Sequence, residues 1–245
     1  MSTLGIIPAR YASTRLPGKP LVYIKGKTMI QRVYENAVKA KSLNDLIIAT
    51  DDKRIKDHVH DFGGEVIMTS AKHKSGSDRC CEVIKIMKGS YNNIINIQGD
   101  EPFINPKQID LVTKCFDDKT VQIATLVKEI KDNNEIFDSN IPKVIINSND
   151  EAVYFSRSPI PYYQKIKPEK WSKKHKYFKH IGIYGFRADV LKEITNLQQS
   201  PLEIAESLEQ LRWIENGYKI KVAYTKHESY SVDTPEDLKR LLKLR

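Results

Sequence analysis

The chain has 245 residues, of which 40% are hydrophobic and 29% are charged; this is enough apolar material for a sizeable core and excludes a wholly disordered chain. The net charge of +9 would suit a polyanionic partner, but the lysines are spread along the chain and no nucleic-acid recognition motif is present, so we expect no nucleic-acid partner. No apolar run approaches the roughly 20 residues that span a bilayer, and the 3 cysteines form no CxxC pair, so we expect no membrane insertion and a cytoplasmic location.

The first half of the chain alternates apolar, strand-like runs with helical patterns. Strands are predicted at residues 4–9, 46–50, 65–68 and 93–98. Helices are predicted at residues 28–40, between Asp52 and Gly63, and at 79–88. Short connections between strand, helix and strand indicate right-handed βαβ units and a parallel sheet.

The second half is less regular. Strands are predicted at residues 121–127, 143–147, 181–186 and 219–224, and the alternation over 143–147 favours antiparallel pairing. Residues 201–216 predict one amphipathic helix, residues 234–244 another, and residues 162–176 a polar excursion or flap. We therefore expect an α/β, mainly parallel, Rossmann-like nucleotide-binding sandwich. It would form a single domain over residues 1–245, with an inserted antiparallel lobe at about 125–190.

The strongest local signal is the connection that follows the first strand. Residues 10–20 contain Arg10, Arg15 and Lys19 together with two hydroxyl side chains and a glycine. Such a loop lies at the strand end where an α/β sheet opens its ligand crevice, and arginine forks, a lysine and backbone N–H groups can bind a triphosphate there. The G-x-x-x-x-G-K-[ST] spacing of a Walker loop is absent. A solvated basic loop is the structural alternative.

Two carboxylates also follow strands. Asp100 comes after the strand at 93–98, and Asp233 comes after the one at 219–224. Alone, either residue would suit a turn or a helix cap, but together they match the oxygen ligands that Mg²⁺ takes in addition to substrate phosphates. The pair therefore predicts a Mg²⁺ site.

Short motifs with further polar residues are spread over the chain. They are residues 10–20, Ser75-Gly76-Ser77-Asp78-Arg79, Gln98-Gly99-Asp100-Glu101-Pro102, Phe155-Ser156-Arg157, His180-Ile181-Gly182-Ile183-Tyr184 and Leu208-Glu209-Gln210-Leu211-Arg212. Their order resembles that of the 3-deoxy-manno-octulosonate cytidylyltransferases, the CMP-Kdo synthetases. Residues 200–203 and 232–236 extend the resemblance over essentially the whole chain.

The resemblance implies an enzyme that uses CTP and Mg²⁺, in which the anomeric hydroxyl of Kdo attacks the α-phosphorus and diphosphate leaves. It implies catalytic roles for Arg10, Lys19 and Asp100, with Asp100 and Asp233 as Mg²⁺ ligands. The implied nucleotide-binding residues are Ala9, Arg10, Ser13, Arg15, Lys19, Ser75, Gly76 and Arg79. The implied sugar-binding residues are Gln98, Arg157, His180, Tyr184, Glu209 and Gln210. A homodimer formed through the lobe, and a supply of CMP-Kdo to lipopolysaccharide or capsule, also follow from the resemblance.

Several alternatives stay open. His180 could be a structural histidine, Tyr184 a core residue and Glu209 a solvated helix residue. Lys179 stands where many relatives have Arg, which weakens a forked contact to an anion there. The sugar could instead be an 8-amino-Kdo or a sialic-acid-like nonulosonate, and a nucleic-acid-binding protein is a remote alternative. Residues 165–176 match nothing specific.

Overall fold

The computed structural model describes residues 1–13, 15–87 and 91–243. Thr14 of the basic loop and the predicted helix ends at Lys88 and Leu244 lie outside these ranges. The strands are β1 (Thr3–Ala9), β2 (Tyr23–Ile24), β3 (Lys27–Thr28), β4 (Asp45–Thr50), β5 (Val66–Met68), β6 (Asn93–Asn96), β7 (Ile123–Glu129), β8 (Lys143–Ile146), β9 (Ala152–Ser156), β10 (Phe178–Arg187) and β11 (Ile220–Tyr224). The helices are α1 (Met29–Ala37), α2 (Lys53–Asp61), α3 (Gly76–Met87), α4 (Pro106–Lys114), α5 (Asn133–Phe137), α6 (Trp171–Lys174), α7 (Ala188–Ile194), α8 (Pro201–Glu206), α9 (Gln210–Glu215) and α10 (Pro235–Lys243).

The main sheet is mixed and has nine strands. Its order is β11-β7-β10-β6-β1-β4-β5, and β8 and β9 extend it through β10. Strands β4, β5 and β6 run parallel to β1, whereas β10 is antiparallel to each strand that it pairs with, namely β6, β7 and β8. The chain leaves β1 toward β4, while β6 lies on the other side of β1. At such a switch in strand order a sheet opens a crevice beyond its carboxyl ends.

Helices cover both faces of the sheet. Alternation in β1 sends Leu4 and Ile6 into one core, with α3, α7 and α9, and sends Ile7 and Ala9 into a second core, with α1, α2 and α4. A slip of one residue would exchange these two sets, so their burial determines the register of β1. The predicted α/β sandwich is confirmed.

The helix predicted over residues 79–88 begins earlier, at Gly76. Its start is capped by reciprocal bonds: the backbone N–H of Asp78 donates to Ser75 Oγ at 3.1 Å, and the backbone N–H of Ser75 donates to Asp78 Oδ2 at 3.2 Å. This capping places Ser75 and Gly76 at the helix N-terminus, facing the carboxyl ends of the parallel strands.

The single helix predicted over residues 201–216 is wrong. Ser207 adopts a left-handed conformation (φ 52°) and separates α8 from α9. Arg157 donates to the carbonyls of Glu206 (2.7 Å) and Ser207 (3.4 Å) on the exposed side of this turn. Arg212 donates two hydrogen bonds to the carboxylate of Glu203, and this pair holds the two short helices together. Amphipathic periodicity could not reveal this break, because bonds from distant residues produce it.

The region predicted as an inserted lobe contains β8 and β9, whose antiparallel pairing is confirmed. Two further strands that overlap this range of the sequence, β7 and β10, belong to the central strand order of the main sheet, to which β8 and β9 are attached. The excursion at 162–176 packs through Trp171 into a small core with Ile130, Ile136 and Tyr177.

Cys80, Cys81 and Cys115 are free thiols. Within the described residues, no helix has the length and apolar character needed to cross a bilayer.

Candidate active site

The loop after β1 is closed on itself. The backbone N–H of Gly18 donates to the carbonyl of Tyr11 at 3.1 Å, and Gly18 has a φ of 68° that favours glycine. A Cβ at Gly18 would lie 3.2 Å from the Tyr11 ring. The guanidinium carbon of Arg54 lies 3.3 Å from the centroid of the same ring. Asp52 in turn accepts hydrogen bonds from Arg54 through both of its carboxylate oxygens. These contacts fix the position of Tyr11, while Arg10 and Arg15 are exposed.

Lys19 joins this loop to the two predicted metal ligands. Its Nζ lies 2.8 Å from Asp100 Oδ2 and 3.1 Å from Asp233 Oδ1. Arg15 also reaches Asp233, at 3.1 Å. Burial by itself would lower the pKa of Lys19, but the two carboxylates outweigh this effect and raise that pKa above its usual value. Lys19 is therefore a fixed positive charge that brings the two carboxylates to one point.

Asp233 reaches this point because its loop is tied to the end of β6. The backbone N–H of Val232, a buried residue, donates to the carbonyl of Asp100 at 3.0 Å. Gly99 allows β6 and β1 to converge, since a Cβ there would lie 2.6 Å from the carbonyl oxygen of Pro8. The structure thus brings Asp100 and Asp233 together at Lys19 Nζ.

A cavity of about 470 Å³ lies beside Lys19. It is lined by all of the residues predicted to bind the nucleotide, namely Ala9, Arg10, Ser13, Arg15, Lys19, Ser75, Gly76 and Arg79. The structure therefore brings together two motifs that are far apart in the chain, the loop after β1 and the N-terminus of α3.

Arg79 differs from the other cations of this cavity because it is almost fully buried, at 1% exposure. Its Nη1 donates to Thr69 Oγ1 at 2.5 Å, and its Nη2 lies 3.3 Å from Asp51. Nη2 makes no hydrogen bond of acceptable geometry. Arg79 thus supports the cavity wall from behind.

A second, larger cavity of about 1080 Å³ adjoins the first. Arg15, Gln98, Asp100 and Asp233 line both, so the carboxylate pair lies where the two cavities meet. Three of the predicted sugar-binding residues, Gln98, Arg157 and His180, line the larger cavity. This arrangement allows two ligands to meet at one charged point.

His180 lies in β10 between the rings of Phe155 and Tyr184, and its Nε2 lies 3.0 Å from Thr125 Oγ1. Burial lowers the pKa of His180 to about 3. The imidazole is therefore neutral near pH 7 and can offer hydrogen bonds but no charge.

Arg157 and Lys179 are both engaged by protein groups. The Nη1 of Arg157 donates to the carbonyl of Ser139 at 3.0 Å, in addition to its bonds to the turn between α8 and α9. Lys179 is nearly buried and pairs with Glu135 at 2.9 Å and Glu228 at 2.7 Å. The ammonium of Lys179, which stands where many relatives have Arg, is thus occupied by two carboxylates of the protein.

Tyr184, Glu209 and Gln210 line neither cavity and form a separate buried group. Tyr184 Oη and Gln210 Nε2 are buried without a hydrogen-bond partner, as is Oδ1 of Asn96, the register partner of Tyr184. Burial raises the pKa of Glu209 to about 7, although the hydroxyls of Ser75 and Ser77 oppose the shift. Buried polar atoms without partners cost free energy, so this group is suited to a polar ligand.

Sequence reasoning missed Glu101, which lines the larger cavity. Burial and the neighbouring charge of Asp100 raise the pKa of Glu101 to about 7. Its adjacency to Asp100 was the available signal. Three more carboxylates line the same cavity, and none of them lies in a sequence motif that would have indicated it: Glu135, Asp138 and Glu228.

Comparison with known proteins identifies the family. A family model described as Cytidylyltransferase matches residues 4–220. The chain is 55% identical over 246 aligned positions to the 3-deoxy-manno-octulosonate cytidylyltransferase of Parabacteroides distasonis, covering 99% of this chain and 97% of that protein. It is 56% identical to the protein of the same name from Bacteroides thetaiotaomicron, with 98% and 96% covered.

A solved structure agrees with these relatives. CMP:2-keto-3-deoxy-manno-octonic acid synthetase in complex with CTP superposes with a TM-score of 0.92 at 41% identity, over 100% of this chain and 98% of that one. The fold, the gathered motifs and the full-length identity all point the same way. The chain belongs to the 3-deoxy-manno-octulosonate cytidylyltransferase family.

Proposed function

We propose that this protein transfers CMP from CTP to Kdo, forming CMP-Kdo and diphosphate for lipopolysaccharide or capsule synthesis. The observation that carries the proposal is the meeting of two cavities at Lys19, Asp100 and Asp233. One cavity is lined by cations and a helix N-terminus, as a nucleotide requires, and the other by polar side chains suited to a sugar acid.

The chain's own groups bind and orient the nucleotide. Arg10 and Arg15 are exposed cations on the loop after β1, where their guanidinium groups can bind the triphosphate. Lys19 adds a positive charge beside the point where the cavities meet. Gly76, at the start of α3, offers its backbone N–H to the base or to the phosphates of the nucleotide, whereas the N–H of Ser75 already donates to Asp78 Oδ2.

The donor set at the junction fits Mg²⁺. Asp100 and Asp233 present oxygens to one point, where Lys19 pairs with both and Arg15 with Asp233, so a bound Mg²⁺ would compete with these two cations for the carboxylates. In the described part of the chain, no cluster of three or more His, Cys, Asp or Glu side chains could hold a metal by itself. Substrate phosphates and water would therefore complete the coordination, as is usual for this ion. When bound, Mg²⁺ would supply neutralisation of the phosphate charge.

The sugar acid would occupy the larger cavity. Gln98 is oriented by its bond to the carbonyl of Gly182 at 2.7 Å, and neutral His180 lies beside it in β10. Arg157 supplies positive charge to this wall. Tyr184, Glu209 and Gln210 line neither cavity and stay a separate polar group, in which Tyr184 Oη and Gln210 Nε2 are buried without partners. Proximity and charge neutralisation are what such a displacement needs most.

The test is release of diphosphate from CTP with Mg²⁺ and each candidate sugar acid. We expect turnover with Kdo and little with an 8-amino-Kdo or a sialic acid; the family match also disfavours the nucleic-acid alternative. Turnover of a sialic acid without turnover of Kdo would contradict the proposal.

Two further properties belong to the proposal. A homodimer formed through the lobe is supported by two exposed aromatic side chains, Tyr162 (77%) and Phe137 (44%), which lie against Trp171. Sedimentation of the wild type and of Tyr162→Lys would test it. A cytoplasmic location is supported by the free thiols.

A further inference from the structure

Lys143 is a fully buried lysine that neither the motifs nor the family resemblance singled out. It lies in β8, in register with Ser156 of β9 on one side and Lys179 of β10 on the other. Its exposure is 0%, the lowest of the lysines in the described ranges. It therefore sits inside the antiparallel part of the sheet, behind the wall of the larger cavity.

The ammonium of Lys143 is held by backbone carbonyls. Nζ donates to the carbonyl of Asp138 at 2.8 Å and to that of Arg157 at 2.6 Å. Among the described residues, no carboxylate oxygen lies within 4.0 Å of Lys143 Nζ, the distance limit for an ion pair. Burial lowers the pKa of Lys143. The carboxylates of Asp138 and Glu206 act on this charge only from beyond ion-pair distance, and the like charge of Arg157 opposes them. The buried ammonium therefore costs free energy that a methionine of similar length would avoid.

The two carbonyls belong to two separate stretches of the cavity wall. Asp138 begins the stretch 138–142, and Arg157 follows β9; both residues line the larger cavity. Arg157 ties the same stretch a second time through Ser139, and its Nε donates to the carbonyl of Glu206. The Lys143 ammonium is thus the centre of a hydrogen-bond network that positions Arg157, the stretch 138–142 and the turn that precedes Glu209.

We propose that Lys143 is a positioning residue for the acidic sugar, fixing the two wall stretches and placing a positive charge behind them that attracts the sugar carboxylate. The inference rests on the proposed function, because it assigns the larger cavity to the sugar acid. The inference predicts that loss of Lys143 weakens binding of the sugar and leaves binding of the nucleotide unchanged, since neither residue that Lys143 Nζ bonds lines the smaller cavity.

The experiment compares wild type with Lys143→Met, which keeps the side-chain length and removes the charge. Diphosphate release gives KM for Kdo and for CTP, and CTP-induced thermal shift gives an independent measure of the nucleotide site. We expect KM for Kdo to rise about tenfold or more, as for loss of a charge-assisted contact, while KM for CTP and the thermal shift change less than about twofold. Lys221→Met is the matched control: it removes another strand lysine bonded to a backbone carbonyl, that of Asn149 at 2.7 Å, away from both cavities.

An unchanged KM for Kdo in Lys143→Met, or an equal rise in both KM values, overturns the inference. Should that variant fail to fold, Lys143→Gln keeps two N–H donors without the charge, and the same split between the two KM values is expected; no split overturns the inference. Wild-type protein that does not turn over Kdo contradicts the proposed function itself, which distinguishes the two failures.

Discussion

Lys19 donates a hydrogen bond to Asp233 at 3.1 Å across 214 residues of sequence, and to Asp100 at 2.8 Å across 81. The first strand's loop, the end of β6 and the loop before α10 therefore converge on one ammonium. Because Lys19 already neutralises part of the charge of both carboxylates, it competes with any cation that they bind. This competition and the packing around it lead to four predictions.

Asp100→Asn and Asp233→Asn should each lower the rate of diphosphate release by about 100-fold or more. Each change removes one of two carboxylates proposed to hold Mg²⁺, and metal ions contribute several kcal/mol to such reactions. Both side chains are partly exposed, so the far-UV circular dichroism should be unchanged. Asp57→Asn, at an exposed site on α2, is the control. Near-normal rates in both variants would remove these residues from the mechanism.

Lys19→Met should increase the affinity of the nucleotide-free protein for Mn²⁺ by about tenfold, while diphosphate release falls. The removed contacts are charge-assisted hydrogen bonds worth roughly 1.5–3 kcal/mol, and tenfold in affinity corresponds to about 1.4 kcal/mol. Electron paramagnetic resonance of free Mn²⁺ measures the affinity without any turnover. Lys27→Met removes a comparable pair with Glu35 far from the site and should leave Mn²⁺ binding alone. Equal affinities for wild type and Lys19→Met would show that Lys19 does not compete with the metal.

His180 should make stability depend on pH with a defined sign. Its folded pKa of about 3 lies below the usual value of 6.5 for histidine, so only the unfolded chain takes up the proton as the pH falls below 6.5. Wild type should lose stability relative to His180→Gln by about 1.4 kcal/mol per pH unit between roughly pH 6 and 4.

Urea unfolding of both proteins at pH 7, 6 and 5 measures this difference. Glu101 and Glu209 act in the opposite direction because their folded pKa values are raised to about 7, but both are present in each protein and cancel in the comparison. Parallel stability curves would mean that His180 is protonated in the folded state.

Glu203→Gln and Arg212→Met should each destabilise the fold by roughly 3–5 kcal/mol, because each leaves one charge of a nearly buried pair without its partner. For a chain of this size that corresponds to a melting temperature lower by about 6–20 °C. Lys131→Met, in an exposed pair with Glu129, should cost less than about 1 kcal/mol.

A double variant that makes both positions apolar, Glu203→Leu with Arg212→Met, should be less destabilised than either single variant. Thermal unfolding monitored by circular dichroism distinguishes the cases. Additive losses in the double variant would mean that packing, rather than the stranded charge, carries the effect.

Much of the fold could be predicted from local pattern. The alternation of β1, the apolar run of β6 and the amphipathic α1 each reflect burial on a face whose period the sequence carries. The break at Ser207 could not be predicted, because the local residues favour helix. The turn is held instead by hydrogen bonds from Arg157 to two backbone carbonyls and by the Glu203–Arg212 pair. The same holds for Lys179, whose two carboxylate partners come from α5 and from the loop after β11.

The order of strands and helices along the chain predicts the α/β class, the basic loop at the end of the first strand and Asp100 at the neighbouring strand end, because strand-end position follows from that order. Which distant side chains share a charge depends instead on the packing of the folded chain. Asp233 meets Lys19 because Val232 is anchored to Asp100, and the ammonium of Lys143 lies behind the cavity wall because β8 pairs between β9 and β10. Electrostatic and hydrogen-bond partners depend on distance in space, and periodicity along the chain carries no record of that distance.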